Sequence, residues 1–270
     1  MSMPERTTSP ALSAYVAFAC IGLLAPIVIV CVLSFSGEGY LHFPPRSFSL
    51  RWFETFFGDT RWRQSLFSST VIALIACTIA TSIGFLAAYA LVRGEMRAKK
   101  FILSLLLMPI IVPTVITAIA MYFLTAKLGL VGNLVWIGFC HAVIALPVVL
   151  LILLAALQGV DLNLERAALS LGASRPRVFF KVVVPIAYPG VMSAALFAFL
   201  ASFDELVISL FLAGARAQTL PVRIWNSLHL EIEPVVAAAA TFLIAVTGAV
   251  LLVDGGVRQL RGRRARKGAI

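Results

Sequence analysis

Two neighbouring carboxylates, Asp204 and Glu205, sit in the stretch from Gly190 to Ala213, which holds no other charge. A carboxylate at the centre of a membrane helix costs roughly 2.5–3.5 kcal/mol on insertion scales, so it must face protein or water. Two uses follow from that chemistry. One is attraction of a cationic solute along a watered pathway. The other is a hydrogen-bonded or ion-paired lock between helices, or to a partner subunit. Acid–base catalysis inside the membrane would use the same residue types, but no catalytic motif accompanies them: HExxH and GxSxG are both absent. So is GxxxxGK[ST], the glycine loop that cradles phosphates, and any ATP hydrolysis must therefore come from another chain. Cys20, Cys31, Cys77 and Cys140 fall in apolar runs without CxxC spacing and read as small core residues. His42, His141 and His229 are scattered in the same way, so no metal site is expected.

The carboxylates belong to one of six apolar runs, roughly 11–35, 65–92, 101–126, 134–157, 190–213 and 235–253. A hydrocarbon core about 30 Å thick needs about 20 apolar residues of helix, and each run approaches or exceeds that length. Only 13% of the 270 residues are charged, about half the share of a soluble domain. The reading is an all-α polytopic membrane protein, a single domain over 1–270 with six transmembrane helices. The first run is too long for a signal-peptide core and has no small-residue cleavage site directly after it, so it reads as a retained span.

The net charge of +10 invites a nucleic-acid reading, but the basic residues lie between the apolar runs and in the tail Arg258–Lys267. They read as anchors against anionic membrane lipid, with no nucleic acid as partner. With both termini in the cytoplasm, 15 of the 22 Lys and Arg fall inside and seven outside, which favours that orientation. Segment 36–64 then lies outside. Its Ser49–Phe57 stretch predicts a short interfacial helix with Ser49 as cap. Pro109 and Pro113 in the third run and Pro147 in the fourth predict kinks. These either border a pathway or reflect the ordinary proline content of membrane helices.

The inside connection 158–189 is the most distinctive. Asp161 or Asn163 can cap a helix on which Leu164, Ala167, Ala168 and Leu171 share one face. Gly172 ends it, and Ser174 caps a second helix with Pro176 in its first turn. This predicts a helix pair projecting into the cytoplasm, whose small alanine face admits close approach of a partner.

That stretch resembles the EAA loop of inner-membrane permeases of binding-protein-dependent ABC importers. Ala167, Ala168, Leu171, Gly172, Ala173, Ser174, Phe179, Val182 and Pro185 follow the loop's pattern. One departure stands out: Arg166 precedes the alanines, and the acid is one place earlier, at Glu165. Phe48–Trp52, Ser202–Ser209 and Leu220–Trp225 are further similar to the spermidine/putrescine (polyamine) group of these permeases. The resemblance implies a type-I importer (MetI-like) permease fold in a bacterial inner membrane. It implies as partners a second permease, two cytoplasmic ATPases that bind ATP and Mg, and an external binding protein. It implies no cofactor in this chain. Glu165, Ala167, Ala168, Gly172, Ala173, Ser174 and Pro185 would form the ATPase-coupling loop. Asp204, Glu205, Pro109 and Pro113 would border the pathway. The cargo follows less directly, because the same machine also imports amino-acid derivatives, phosphonates or ferric ion. An ATPase-independent secondary transporter is the alternative outside the family.

Overall fold

In lipid every backbone N–H and C=O must be satisfied within the protein, and a helix does this within one segment. The computed structural model describes residues 10–230 and 233–267, with side chains for 11–229 and 233–256. Arg6 lies outside the described residues, as do the side chains of the basic tail. Among the described residues the helices are α1 (Pro10–Leu33), α2 (Arg51–Gly58), α3 (Thr60–Arg93), α4 (Lys99–Leu107), α5 (Thr114–Lys127) and α6 (Leu134–Gln158). They continue with α7 (Leu162–Ser170), α8 (Arg175–Val178), α9 (Val184–Phe203), α10 (Val207–Leu212), α11 (Leu220–Leu230) and α12 (Val235–Lys267). Five helices are long and apolar enough to cross a membrane, and a sixth crossing is complete if α4 and α5 count as one.

The chain packs as two units. In the first, residues 1–60 and 224–244, α1 buries none of its most apolar stretch against the rest of the chain. It requires lipid or another subunit as cover. Past Leu33 the chain turns, and Gly37 N–H to Ser47 O (2.9 Å) and Ser49 N–H to Phe35 O (2.7 Å) tie together the two arms of the loop before α2. α2 forms where expected, but Leu50 is its N-cap, and Ser49 Oγ instead accepts from Arg51 N–H. Phe56 of α2 is buried, with its ring 5.4 Å from that of Phe242.

The second unit comprises residues 61–223 and 245–270. Its main core lines Ala76, Ala80 and Ala88 of α3 against Ala142, Ala145 and Val149 of α6 and Ala187, Ala194 and Ala198 of α9. Helix association in lipid relies on close van der Waals contact, which small residues permit. Cys77 Sγ reaches Ala195 O at 3.2 Å, so this cysteine does pack in a helix interface. A second core joins Ile72, Ala118, Ile137, Cys140, Ile208 and Leu212.

Three sequence expectations change here. Run 101–126 is not one kinked helix. α4 passes into a 3-10 turn at Met108–Ile110, and α5 leaves at 94° to it. Pro109 and Pro113 both lack the N–H that would continue the ladder, and Pro113 serves as the N-cap of α5. Run 190–213 is likewise not one span. Arg175–Phe203 is a continuous 29-residue helix, about 43 Å long at 1.5 Å per residue, and it stops at Asp204. Pro185 does not interrupt it, because Phe179–Val183 widen into a π turn closed by Val184 N–H on Phe179 O. Finally, Asp204 and Glu205 are not the only acids deep in apolar surroundings. α12 continues past 253, and Asp254 is buried in it, accepting a hydrogen bond from Ser193 Oγ of α9.

α6 and α9 form the most extensive helix contact. A Cβ on Gly190 would overlap that of Ala156. Gly190→Leu should therefore lower the thermal unfolding midpoint in detergent, overpacking costing about 1–3 kcal/mol. Gly248→Leu, where a Cβ meets nothing, should leave the midpoint in place.

Candidate functional site

Two sites emerge in the second unit, and α3 and α9 each contribute to both or lie beside them. The first is the helix pair after α6. Asp161 takes the N-cap of α7, its carboxylate accepting from Asn163 N–H at 2.9 Å. The helix ends where Gly172 turns to φ +85°, a left-handed conformation that costs other residues about 1–2 kcal/mol. Gly172 N–H to Leu169 O (2.9 Å) and Ala173 N–H to Ala168 O (3.1 Å) absorb the last carbonyls. Ser174 occupies the N-cap of α8 without a side-chain capping bond.

The outward face of this pair is rich in leucine, with the exposed Arg166 set among the leucines. Leu171 is 89% exposed, and Leu162, Leu164 and Leu169 are also exposed. Ala167, Gly172, Ser174 and Pro185 are exposed beside them, with Ala168 and Ala173 half-buried. Glu165 points the other way. It is buried, and its carboxylate accepts from Arg93 Nε at 2.8 Å and lies 2.7 Å from Nη2. Arg93 Nη2 also donates to Val160 O at 2.8 Å. The last residue of α3 thus clamps both the entry to α7 and its first turn. The shift of the acid from the place before the alanines to Glu165 has a structural consequence: the charge is spent inside the chain. The π turn is seated nearby, with the Phe179 ring 4.9 Å from Tyr89 and 5.7 Å from Phe85, both on α3.

The second site is the break between α9 and α10. Glu205 folds its carboxylate over the start of α10 and accepts from Val207 N–H (3.0 Å), Ile208 N–H (2.9 Å) and Ser209 N–H (3.2 Å). His141 of α6, fully buried, bridges the two helices. Its Nδ1 shares a hydrogen bond with Ser202 Oγ at 2.8 Å and its Nε2 one with Ser209 Oγ at 3.1 Å. Nε2 also lies 3.6 Å from Glu205 Oε2. Asp204 has a different situation. It is exposed and borders a cavity of about 730 Å³ together with Glu205, Thr114, Val148, Phe197 and Thr247. Pro109 and Pro113 do not line it, but Thr114, immediately after Pro113, does.

The two carboxylates read as a pair therefore separate by role. Glu205 is a cap, and Asp204 is the acid that faces open space. His141, taken from the sequence as one of three scattered histidines, was missed. A lone imidazole in the apolar run 134–157 was its signal, since a polar group there needs a partner. The partners lie 61 and 68 residues away, beyond the reach of any local pattern. Among the described residues no group of three or more His, Cys, Asp or Glu is placed to hold a metal ion.

Residues 80–264 match the family described as the inner membrane component of binding-protein-dependent transport systems. The spermidine/putrescine transport system permease protein PotC of Haemophilus influenzae is 31% identical over 232 residues, covering 86% of this chain and 90% of that protein. The putrescine transport system permease protein PotI of Escherichia coli is 29% identical over 260 residues, covering 91% of this chain and 92% of that one. A chain of a bacterial ABC transporter that imports the acidic polysaccharide alginate superposes with a TM-score of 0.73 at 16% identity, over 96% of this chain and 98% of its own. That last likeness concerns the fold, which is the all-helical importer-permease architecture expected from the EAA-like loop. The chain belongs to the family of inner-membrane components of binding-protein-dependent transport systems, as a permease subunit of such an importer.

Proposed function

We propose that this permease, with a second homologous permease, forms the pathway of an ATP-driven importer for a small organic cation of the polyamine class. Two cytoplasmic ATPases bind ATP and Mg and grip the helix pair that begins with α7. An external binding protein delivers the solute, and both termini lie in the cytoplasm. The observation that carries this reading is the exposed leucine and alanine face around Gly172. An apolar surface presented on a short capped helix between two spans needs a protein partner. The chain has no phosphate-cradling glycine loop of its own, which supports a separate motor. The polyamine assignment is supported by the relatives named for spermidine and putrescine and by Asp204 at the open cavity.

In this mechanism ATPase closure displaces α7, and the Arg93–Glu165 clamp passes the displacement to α3. Helix packing around the cavity then switches between two arrangements. Asp204 gives the cation a counter-charge inside, while Glu205 and His141 hold the helix break that places Asp204 there.

Three outcomes are expected. Gly172→Val should insert and assemble normally, yet hydrolyse ATP without uptake of radiolabelled solute in proteoliposomes; normal uptake would refute the coupling role. Arg93→Glu should abolish coupling, because removing one partner of a largely buried pair costs on the order of 3 kcal/mol. The double exchange Arg93→Glu with Glu165→Arg should recover a measurable part of it. Asp204→Asn should lower cation uptake at least about fivefold, since a charge pair at 4 Å is worth about 1 kcal/mol in water and about 4 kcal/mol near a protein surface. Uptake at the wild-type rate with normal expression would remove Asp204 from the pathway.

A further inference from the structure

At the other end of α3 from the coupling helix lies a pocket of different character. Arg61, Gln64 and Ser65 of α3, Arg216 and Gln218 of the turn between α10 and α11, and Arg223 of α11 line a cavity of about 240 Å³. Ala215 is the one apolar residue in that lining, and no carboxylate belongs to it. Arg223 stacks its guanidinium 5.6 Å from the centre of the Trp62 ring, which is 2% exposed. Its Nε is buried and has no hydrogen-bond partner among the described residues. A buried donor left unpaired costs about 1–3 kcal/mol, and more when charged. An acceptor arriving from outside removes that cost.

From these observations we infer that the pocket is a receptor for an acidic side chain of the external solute-binding protein. Guanidinium forks flanked by amide side chains match the planar geometry of a carboxylate. The volume lies below the roughly 300–1,000 Å³ of small-molecule sites, so it suits a single inserted side chain. A lipid headgroup is less well served, because Ala215 is the one apolar residue the lining offers to acyl chains. A cationic cargo would be repelled by the arginines.

Position supports the same partner. Arg61 and Arg93 are 32 residues apart on one helix, about 48 Å. If α7 meets a cytoplasmic motor, the pocket lies at the outer surface, where the binding protein arrives. The inference rests on the importer reading and its orientation.

The test uses the complete importer, with both permeases and both ATPases, in lipid nanodiscs, titrated with its purified binding protein. Arg216→Glu is expected to weaken association about tenfold or more, with Gln218→Glu acting in the same direction. The salt dependence of binding should become shallower, since Arg216→Glu replaces an attracting charge by a repelling one. Subunit composition and basal ATP hydrolysis should stay at wild-type levels, and an Asp→Lys or Glu→Lys change on the binding protein should restore affinity to the Arg216→Glu importer. Unchanged affinity in both variants overturns the assignment. So does loss of the second permease from the purified complex, which would make the pocket a subunit contact. It also fails if inorganic phosphate or phosphatidylglycerol occupies the wild-type pocket, but not the variants, while binding-protein affinity is unaffected. A wild-type complex that bound no solute-binding protein in any nucleotide state would sink the importer reading itself.

Discussion

Everything distinctive about the region where α9 gives way to α10 depends on how a broken helix is tolerated among apolar neighbours. Ending α9 at Phe203 and starting α10 at Val207 exposes amides that lipid cannot satisfy. The Glu205 carboxylate takes three of them, and His141 joins the hydroxyls on either side of the break. With those bonds made, the first amides of α10 are satisfied where the helix restarts. Only then does Asp204 project into the cavity rather than along a helix flank. The costly residues thus divide the work: one carboxylate and one imidazole satisfy backbone and hydroxyl groups, which leaves the second carboxylate facing the cavity.

The same logic of paired charges operates at the C-terminal end of α3. Arg93 stands at the last position of α3 and holds both Glu165 and the Val160 carbonyl. A long side chain with a planar, always-charged fork is suited to gripping two acceptors at once. Because Glu165 faces inward, the exposed side of α7 carries Leu162, Leu164, Ala167 and Leu169 with Arg166 among them. The buried charge pair ties α7 firmly to a core helix.

Much of this was legible in the sequence, and the reasons are physical. Six runs near the thickness of a bilayer announce spans whatever their packing. Capping residues and a left-handed glycine are local signals, so Asp161 and Gly172 were placed correctly at the ends of α7. The EAA-like pattern added the family, and the match over residues 80–264 agrees with it. Where reading failed, the cause was a long-range partner or an altered ladder. Residues 158–189 read as a connection that ends before the fifth span, until the π turn carries the helix from Arg175 through to Phe203. Asp204–Glu205 looks like a mid-span pair until the amides of α10 claim one of the two. Hydropathy averages over such a break, because Leu206–Ala213 is as apolar as a span interior.

Proline and glycine use shows why the third apolar run behaves unlike the fourth. Both contain proline, yet α6 continues through Pro147, whereas Pro109 and Pro113 end α4 and turn the chain by 94°. A single missing donor leaves one carbonyl for neighbours to absorb. Two prolines four residues apart remove donors from consecutive turns, and the intervening residues fall back on tighter bonds, with Ile111 and Val112 N–H both meeting Met108 O. The bend brings Thr114, at the start of α5, to the cavity that Asp204 borders. The broken third run and the broken fifth run therefore meet at one place. A cavity between helices requires backbone that departs from straight packing, and here each departure is written as a proline pair on one side and a self-capping carboxylate on the other.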